Sequence, residues 1–493
     1  MNWQTVHSLM NLEIKLNSKQ MLKIKLNIYV FLFIWVSLLS CKKDNQDFTY
    51  AKINELQINA DSVLSINQFD TLKINPQILQ SKPGAGKFTY QWKIYPDQIV
   101  AGFTPMIIST DESLNAVISV PPLLGGYHLE YKVTSTDNGV AAFKMFTVNV
   151  TSVFSDGWVI SSSKDGNAEL SFVRSDYRVF YTPAMSVNQT VYSGHAIGTY
   201  VYPISDGTQL GIGFFTDKGN YRFSANDFLQ TGTSVTSFTP AKDKFTFSLS
   251  KFKTEEYVIN DGSLYAASIF DGPLNVTYTE RLSGDYYFFP KVITSTLFNT
   301  YFYDNKNKRF MSVAFGGFYI TPAFGSSSTA FNMGNTDMLM VGAMDGPQTS
   351  SSGVYYFVME NSNGERYLYS LSGAQPGLNQ KILNSPEIES AHSFASSLLL
   401  RQMYYATDNK IYQYDILANS STLIYTFPAG TSIKQIEVQP DNGKTLVVAA
   451  NAGSTGQVYF FNLDNLGNIS NNTYSQMIDG FGEIANIAYR KRN

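Results

Sequence analysis

The sequence predicts an all-β protein in which an N-terminal β-sandwich is followed by a β-propeller. Tyrosine (32) and phenylalanine (35) are abundant among the 493 residues, whereas charged residues make up only 15%. Aromatic residues favour strands, and the serine, threonine, asparagine and glycine between them favour polar turns. Apolar and polar residues alternate in short runs, and a strand–turn–strand unit recurs from residue 154 onwards.

The chain begins with the pattern of a secretory signal peptide. Residues 28–39 (IYVFLFIWVSLL) carry no charge and follow Lys23 and Lys25. An uncharged run of this length is shorter than the roughly 20 residues that span a bilayer, and is typical of a signal-peptide core. It ends in Leu38-Leu39-Ser40-Cys41, which resembles the bacterial lipobox, where the signal peptide is cut before a cysteine that becomes lipidated. We therefore predict a signal peptide over 1–40, lipidation of Cys41 and a tether over 41–46. The alternative for Cys41 is a buried free thiol.

The residues around Cys41 also predict a location. Lys42 follows the cysteine directly, and the segment Lys42-Lys43-Asp44 resembles the charged export signal of surface lipoproteins in Bacteroidota-type bacteria. The expected location is the outer membrane, lipid-anchored and on the cell surface. The formal charge of −3 argues against a nucleic-acid partner. With one cysteine, an internal disulfide framework and a cysteine-rich zinc site are excluded.

Residues 47–153 have the pattern of a small sandwich. Period-2 alternation runs through residues 50–78, and Trp92 lies between strand-like flanks in FTYQWKIYP. Asp137-Asn138-Gly139 is a strong hairpin-turn signal between two further strands. About 100 residues of short strands around one buried tryptophan favour an immunoglobulin-like fold.

Four segments in this region resemble the PKD-like family of lipoproteins: YQWKIYP, GGYHLEYKVTSTDNGV, FTVNV and SDGWVISSSKDGN. The resemblance covers roughly residues 47–170. It implies a PKD-type sandwich that continues into a strand beginning with Gly-Trp. It also implies an accessory role in an outer-membrane nutrient-uptake system, with a TonB-dependent porin and its lidding lipoprotein as partners.

Residues 154–493 contain seven strand–turn–strand units. The middle residues of their second strands are Ser171, Arg222, Tyr265, Phe310, Leu368, Tyr412 and Tyr459. Successive markers are 51, 43, 45, 58, 44 and 47 residues apart. This period is close to that of a four-stranded propeller blade. The spacing therefore predicts seven blades, with six or eight as alternatives; a large β-sandwich or two smaller all-β domains would also fit the strand content.

No catalytic constellation is recognisable in the sequence. His128, His195 and His392 lie far apart and outside metal-binding motifs, and no G-x-S-x-G elbow nominates a serine nucleophile. We expect no cofactor and no metal. The predicted function is non-catalytic binding or presentation of a nutrient, either glycan or peptide. The alternatives are a propeller enzyme acting on polysaccharide and a protein-interaction scaffold.

The candidate ligand-binding residues are His195, Tyr200, Tyr202, Tyr286 and Tyr287. They lie in two segments that join loops to strands, SGHAIGTYVYP and SGDYYFFPK. Sugar rings stack on aromatic faces while placed polar groups bind their hydroxyls. The alternative is that these aromatics fill space between blades. A further segment, residues 332–353, is rich in glycine and serine and predicts a long connection, either a functional loop or a linker.

Overall fold

The computed structural model describes residues 53–491 apart from positions 85, 99–102, 124, 155, 205–208, 236–240, 269–274, 279 and 325–330. The predicted signal peptide, Cys41 and the tether lie outside these residues. Within the described part of the chain, no helix has the length and apolar character needed to cross a membrane.

The described residues of the N-terminal region form nine strands. They are β1 (Leu56–Asn59), β2 (Val63–Asn67), β3 (Thr71–Ile74), β4 (Gln77–Gln80), β5 (Phe88–Pro96), β6 (Met106–Ser109), β7 (Leu114–Val117), β8 (Tyr127–Ser135) and β9 (Ala141–Thr151). Five of them form one sheet in the order β2-β9-β8-β5-β6, with β2 parallel to β9. Strands β3 and β7 form a second sheet, and β1 pairs with β4.

Trp92 is the centre of the sandwich core, as the sequence predicted. It is fully buried and stacks on Tyr131 with ring centroids 4.0 Å apart. Its indole N–H donates to the Asp111 carbonyl at 2.9 Å, so the one polar atom of the ring is satisfied. Asp137, Asn138 and Gly139 form the predicted turn between β8 and β9. Gly139 has a φ of +72°, a backbone conformation that favours glycine.

In the described part of residues 154–491, the strands form seven sheets, called blades 1 to 7 here. Blade 1 contains β10 (Gly157–Lys164), β11 (Asn167–Arg174), β12 (Val179–Phe180), β13 (Tyr192–Ser193) and the C-terminal β37 (Glu483–Arg490). Blade 2 contains β14 (Ala196–Ile204), β15 (Gln209–Thr216), β16 (Asn220–Ser224), β17 (Gln230–Val235) and β21 (Asn275–Thr277). Blade 3 contains β18 (Phe245–Leu249), β19 (Glu255–Asn260) and β20 (Ser263–Ser268).

Blade 4 contains β22 (Asn299–Asp304), β23 (Arg309–Ala314) and β24 (Ile320–Pro322), with an isolated bridge from Ile293 to Tyr301 at its inner edge. Blade 5 contains β25 (Leu339–Gln348), β26 (Gly353–Glu360), β27 (Arg366–Ser372) and β28 (Gln375–Lys381). Blade 6 contains β29 (Ser393–Ser396), β30 (Gln402–Ala406), β31 (Lys410–Asp415) and β32 (Ser420–Thr426). Blade 7 contains β33 (Thr431–Val438), β34 (Thr445–Ala452), β35 (Thr455–Asn462) and β36 (Gln476–Phe481). The helical segments of the described residues are α1 (Pro183–Asn188) and two 3₁₀ turns, Ile388–Ser390 and Ser470–Asn472.

Apolar packing between successive blades closes these sheets into a ring. Seven buried clusters each join two neighbouring blades, from blades 1 and 2 round to blades 7 and 1. Alternation along a strand makes this possible, because successive side chains point to opposite faces of a sheet. In β34, Val447 and Ala449 pack toward blade 1, whereas Leu446 and Val448 pack toward blade 6. Strand β37 closes the ring: it pairs with β10 and so joins the C-terminal end of the propeller to its first blade.

The seven-bladed propeller confirms the fold predicted from the repeat. Each of the seven marker residues lies in the third strand of a blade, counting outwards from the centre. The expectation of a long connection over 332–353 was wrong for its middle part, because residues 339–348 form β25, the innermost strand of blade 5.

The sandwich is fixed to blades 1 and 2 of the propeller. Phe69, at the tip of the β2–β3 turn, packs on Phe154 and Phe180 with centroids 5.6 and 5.8 Å away. Asp70 accepts a hydrogen bond from Arg178 at 2.7 Å, which lowers the pKa of that carboxyl. Ser152 donates to the Asn226 carbonyl, just after β16. The two domains therefore share both an apolar contact and an ion pair.

Candidate functional site

A cavity of about 620 Å³ lies where the innermost strands of the blades meet. The described residues that line it come from six of the seven blades. They fall within residues 486–489 of blade 1, 199–203 of blade 2, 246–253 of blade 3, 291–294 of blade 4, 345–355 of blade 5 and 435–440 of blade 7. Most of these residues belong to the second half of an innermost strand or to the turn after it. The cavity therefore opens at the end of the propeller where these strands finish, called the cavity end below.

The sandwich is attached at this same end. In an antiparallel blade, the third strand runs in the same direction as the innermost strand. Arg178 follows β11 and Asn226 follows β16, and both of those are third strands. Their contacts to Asp70 and Ser152 therefore place the sandwich beside the cavity end.

Alternate side chains of an innermost strand face the cavity, and those between them face the neighbouring blade. In β18, Phe245, Phe247 and Leu249 are buried between blades 2 and 3, whereas Thr246 and Ser248 are partly exposed and line the cavity. This alternation follows from the two-residue period of a strand. The polar residues of the innermost strands thus face the cavity, while their apolar neighbours hold the blades together.

Lys291 and Asp345 form an ion pair in the cavity wall. The Lys291 Nζ lies 2.7 Å from Asp345 Oδ1, and it also lies 5.7 Å from the centroid of the Tyr355 ring. Lys291 comes from the short inner edge of blade 4 and Asp345 from β25 of blade 5. A hydrogen bond of 2.9 Å joins the hydroxyls of Tyr355 and Thr294, and it holds the Tyr355 ring next to Lys291.

Glu437 lies near this pair, and its pKa is raised. Burial raises the pKa of Glu437 to about 8; the nearby Asp345 carboxylate adds to the rise, and Lys291 opposes it. The side-chain amide of Gln435 donates to Glu437 Oε2 at 3.1 Å. Because its pKa lies above neutrality, Glu437 is mainly protonated at pH 7 and can then donate a hydrogen bond.

Lys251 also lines the cavity, in the turn after β18 of blade 3, and its side chain reaches blade 5. Its Nζ donates to Gln348 Oε1 and to the Ser352 carbonyl, each at 3.2 Å. Burial lowers the pKa of Lys251, and Asp345 partly offsets this effect. Both of its hydrogen-bond acceptors are neutral.

Two side-chain amides hold the innermost strands of blades 7, 1 and 2 in register. Gln435 donates to the Ile487 carbonyl at 3.1 Å and accepts from the Ile487 N–H at 2.9 Å. Asn486 makes the same pair of bonds to Thr199, at 3.0 and 2.7 Å. The two strands in each case belong to different sheets and are not paired through their backbones. The side-chain amide supplies the hydrogen-bond partners that a neighbouring strand would otherwise provide. On this side of the cavity, the innermost strands of three blades are therefore hydrogen-bonded to one another.

Tyr200 and Tyr202, two of the sequence-predicted ligand residues, lie in the wall of the cavity. The rings belong to the apolar cluster between blades 2 and 3, against Phe215 and Phe247. The Tyr200 hydroxyl donates to the Phe245 carbonyl at 3.1 Å, and the Tyr202 hydroxyl accepts from Arg222 at 3.0 Å. The structure brings these two residues together at the cavity. Their role in ligand binding stays a prediction.

His195, Tyr286 and Tyr287 lie away from the cavity. His195 precedes β14 and contacts Asp217 in the β15–β16 turn, with 3.4 Å between Nδ1 and Oδ2. Tyr287 donates to Asp261 in the β19–β20 turn at 2.8 Å. Both turns are at the end of the propeller opposite the cavity, because they follow second strands.

Tyr286 is 6% exposed, and its ring stacks on Phe288 with centroids 4.3 Å apart. His195, Tyr286 and Tyr287 therefore do not lie together with Tyr200 and Tyr202 in one site.

The charged residues of the cavity were missed at the sequence level. Lys251, Lys291, Asp345 and Glu437 come from four different blades and share no local motif. The one signal that could have indicated them is a charged residue in an otherwise uncharged innermost strand, as in "MVGAMDG" around Asp345.

The arrangement can bind a small polar molecule. The cavity is lined by hydroxyl groups, amide groups, lysine ammonium groups and the protonated carboxyl of Glu437. Its volume lies within the roughly 300–1,000 Å³ range of small-molecule pockets. In the part of the chain described by the structure, no three histidine, cysteine, aspartate or glutamate residues form a group that could hold a metal ion.

Comparison with known proteins supports the two-part architecture. Residues 41–199 match the model of the PKD-like family, which covers the sandwich, blade 1 as far as β13, and the first residues of β14. No curated protein matches the chain.

Among solved structures, the chain is similar to a quinonprotein alcohol dehydrogenase-like protein from Bacteroides thetaiotaomicron. The identity is 14%, the match covers 87% of this chain and 96% of that one, and the TM-score is 0.55. A putative 6-phosphogluconolactonase from Bacteroides fragilis is matched at 12% identity over 69% of this chain and 99% of that one, with a TM-score of 0.47. At such identities, the first match shows a common fold only.

Proposed function

We propose that this protein is a lipid-anchored outer-membrane protein that binds a polar nutrient in the central cavity of its propeller and does not transform it. The observation that carries the proposal is the polar cavity to which six of the seven blades contribute. The nutrient is a glycan or a peptide fragment, and the bound molecule is presented to a TonB-dependent porin with its lidding lipoprotein.

The chemistry of the wall supports binding of a hydroxyl-rich or amide-rich ligand. Thr246, Ser248 and Gln348 offer donors and acceptors from two blades, and Glu437 adds a carboxyl that donates when protonated. Buried apolar rings support the wall from behind, so the polar groups keep their positions when a ligand enters. Fixed donors and acceptors reduce the entropy that binding must overcome.

The attachment of the sandwich supports a role in presentation. The lipid anchor predicted at Cys41 precedes the sandwich, and the match to the PKD-like family begins at that residue. The sandwich in turn contacts the cavity end of the propeller. A partner that contacts this end would meet both the sandwich and the bound ligand.

Binding is tested by calorimetry of the full-length protein with a panel of oligosaccharides and short peptides. Ser248→Phe fills the cavity and should abolish binding of any ligand that the wild type takes. Ser193→Phe is the matched control, because Ser193 is exposed in β13, away from the cavity. Equal loss of binding in both variants, or no loss in Ser248→Phe, would place the ligand elsewhere.

The anchor is tested by labelling cells of a Bacteroidota host with radioactive palmitate. The wild-type protein should take up label and Cys41→Ser should not. Digestion of the wild-type protein by protease added to intact cells would support the outer face, whereas protection from that protease would contradict it.

One observation favours a second candidate, an enzyme acting on polysaccharide. Two carboxyl groups of the cavity differ in their surroundings: Asp345 forms an ion pair with a lysine, and the pKa of Glu437 is raised to about 8. A carboxyl with a raised pKa near a second carboxylate is the pattern of a general acid in glycoside hydrolysis. Release of smaller sugars from any glycan of the panel, and its loss in Glu437→Gln, would establish this candidate in place of the binding role.

A further inference from the structure

Positively charged residues outnumber negatively charged ones among the described residues that line the cavity. Of the described residues, three lysines line it (Lys251, Lys253 and Lys291), against two carboxyl residues (Asp345 and Glu437). Lys291 and Asp345 neutralise each other at 2.7 Å. Glu437 contributes less than a full negative charge at neutral pH, because its pKa is raised to about 8. Among the described residues, Lys251 and Lys253 therefore have no carboxylate paired with them, although the charge of Asp345 also acts on Lys251.

Lys251 is the more deeply placed of these two lysines. It is half-buried, and within the described part of the chain its ammonium donates to the neutral oxygens of Gln348 and Ser352. Within the described ranges of the chain, no carboxylate comes within ion-pair distance of Lys251 or Lys253. An ammonium group has three donors, and removing it from water without an anionic partner is unfavourable.

The backbone holds Lys251 and Lys253 at the cavity end. The turn after β18 is fastened by Ser250, whose hydroxyl accepts from the N–H groups of Thr254 and Glu255 at 3.3 and 3.2 Å. The Lys253 N–H donates to the Ser250 carbonyl at 2.9 Å. Next to Lys251, Thr349 and Ser352 form a second hydrogen-bonded turn in blade 5. A ligand at this position would meet two ammonium groups and several hydroxyls.

We propose that Lys251, supported by Lys253, forms a subsite for the acidic group of a saccharide, either a uronate carboxylate or a sulfate ester. This inference rests on the proposed function and names its ligand class. A saccharide fits better than an acidic peptide, because the neutral part of the lining consists mainly of hydroxyl and amide groups. The anion would supply the charged acceptor that Lys251 lacks, and a charge-assisted hydrogen bond is about twice as strong as a neutral one.

The test compares each acidic sugar with a neutral partner. Calorimetry of the full-length protein would use trigalacturonate and its methyl ester, and galactose 6-sulfate and galactose. We expect an acidic member to bind at least about tenfold more tightly than its neutral partner, the effect of one charged hydrogen bond. The difference should shrink as salt is raised.

Variants of Lys251 assign the effect to this subsite. Lys251→Met should remove the preference for the acidic sugar, whereas Lys251→Arg should retain it. Lys218→Met is the control, because Lys218 is exposed in the β15–β16 turn at the opposite end.

Three outcomes would overturn the proposal. If acidic and neutral partners bind equally, or if Lys251→Met keeps the preference, the anion subsite is wrong while the cavity remains a binding site. If an acidic peptide binds and no saccharide does, the ligand class is wrong. If neither peptides nor saccharides bind, the proposed function fails with it.

Discussion

The side-chain amide of Asn486 pairs with both backbone groups of Thr199, although the two residues belong to different blades. Asn486 Nδ2 donates to the Thr199 carbonyl at 3.0 Å, and the Thr199 N–H donates to Asn486 Oδ1 at 2.7 Å. The Ser161 hydroxyl also donates to Asn486 Oδ1, at 2.6 Å. One amide thus joins β37, β10 and β14 at the point where the ring closes.

Asn486→Leu should destabilise the propeller strongly. Leucine has a similar size but no polar atom, so it would leave the backbone N–H and carbonyl of the buried Thr199 without these partners. The Ser161 hydroxyl would keep its bond to the backbone carbonyl of residue 486. Each buried polar group that loses its partner costs about 1–3 kcal/mol. Urea unfolding measures the change, with the exposed turn residue Asn363 substituted to leucine as control. Equal midpoints for the two variants would show that the amide does not support ring closure.

Arg222 and Glu256 form a buried ion pair between blades 2 and 3, and Glu256→Ala should cost about 3–5 kcal/mol of unfolding free energy. The side chains are 5% and 2% exposed, and two hydrogen bonds of 2.9 and 2.6 Å join them. Tyr278 also donates to Glu256 at 2.7 Å. Removal of the carboxylate leaves a buried guanidinium without its counter-charge.

The double variant Arg222→Met/Glu256→Leu separates charge from packing. Since no charge then remains unpaired, it should recover most of the lost stability in the same unfolding assay. Lys306→Met is the control for an exposed pair and should change the unfolding free energy by at most about 1 kcal/mol. A double variant as unstable as Glu256→Ala would mean that the pair itself is required.

The fold was predictable because its units are local. A strand–turn–strand hairpin is contained in about 15 to 20 residues, and its turn residues can be recognised from their backbone preferences. For this reason, all seven marker residues lie on third strands. Strand β25 was missed because Gly342, Gly346 and Pro347 are typical of a loop; it becomes a strand because blades 4 and 6 pack against it.

The cavity could not be predicted in the same way. Its charged residues are separated by tens of residues, and only ring closure brings them together. The aromatic residues favoured at the sequence level are too numerous to select a site, since the spaces between blades are themselves filled with rings. Tyr286 is an example: it stacks on Phe288 and donates to the Leu282 carbonyl inside the cluster between blades 3 and 4.

Glu437 should make the protein less stable as the pH rises. Its pKa is about 8 in the folded protein and about 4.5 when the chain is unfolded. Between these values the folded state holds a proton that the unfolded state has lost, so the stability that this group contributes falls with increasing pH. The limiting slope for one proton is about 1.4 kcal/mol per pH unit.

Thermal unfolding from pH 4 to pH 9 checks this dependence. Glu437→Gln keeps the size of the side chain and cannot ionise, so the melting temperature of the variant should fall less steeply than that of the wild type between pH 5 and pH 8. The difference between the two curves removes the contribution of other titrating groups. Parallel curves would mean that Glu437 ionises normally in the folded protein.

Phe69 should decide whether the sandwich stays attached to the cavity end of the propeller. Its ring contacts Phe154 and Phe180, which belong to the apolar core between blades 1 and 2. Phe69→Ala removes this contact and leaves the Asp70–Arg178 pair, whose isolated contribution near the surface is at most about 1 kcal/mol. We expect faster proteolytic cleavage in the segment between β9 and β10, with both domains still folded. Phe143→Ala is the matched control, because Phe143 is 59% exposed on β9. If the two variants are cleaved at the same rate as the wild type, the domains are held together by contacts other than this ring.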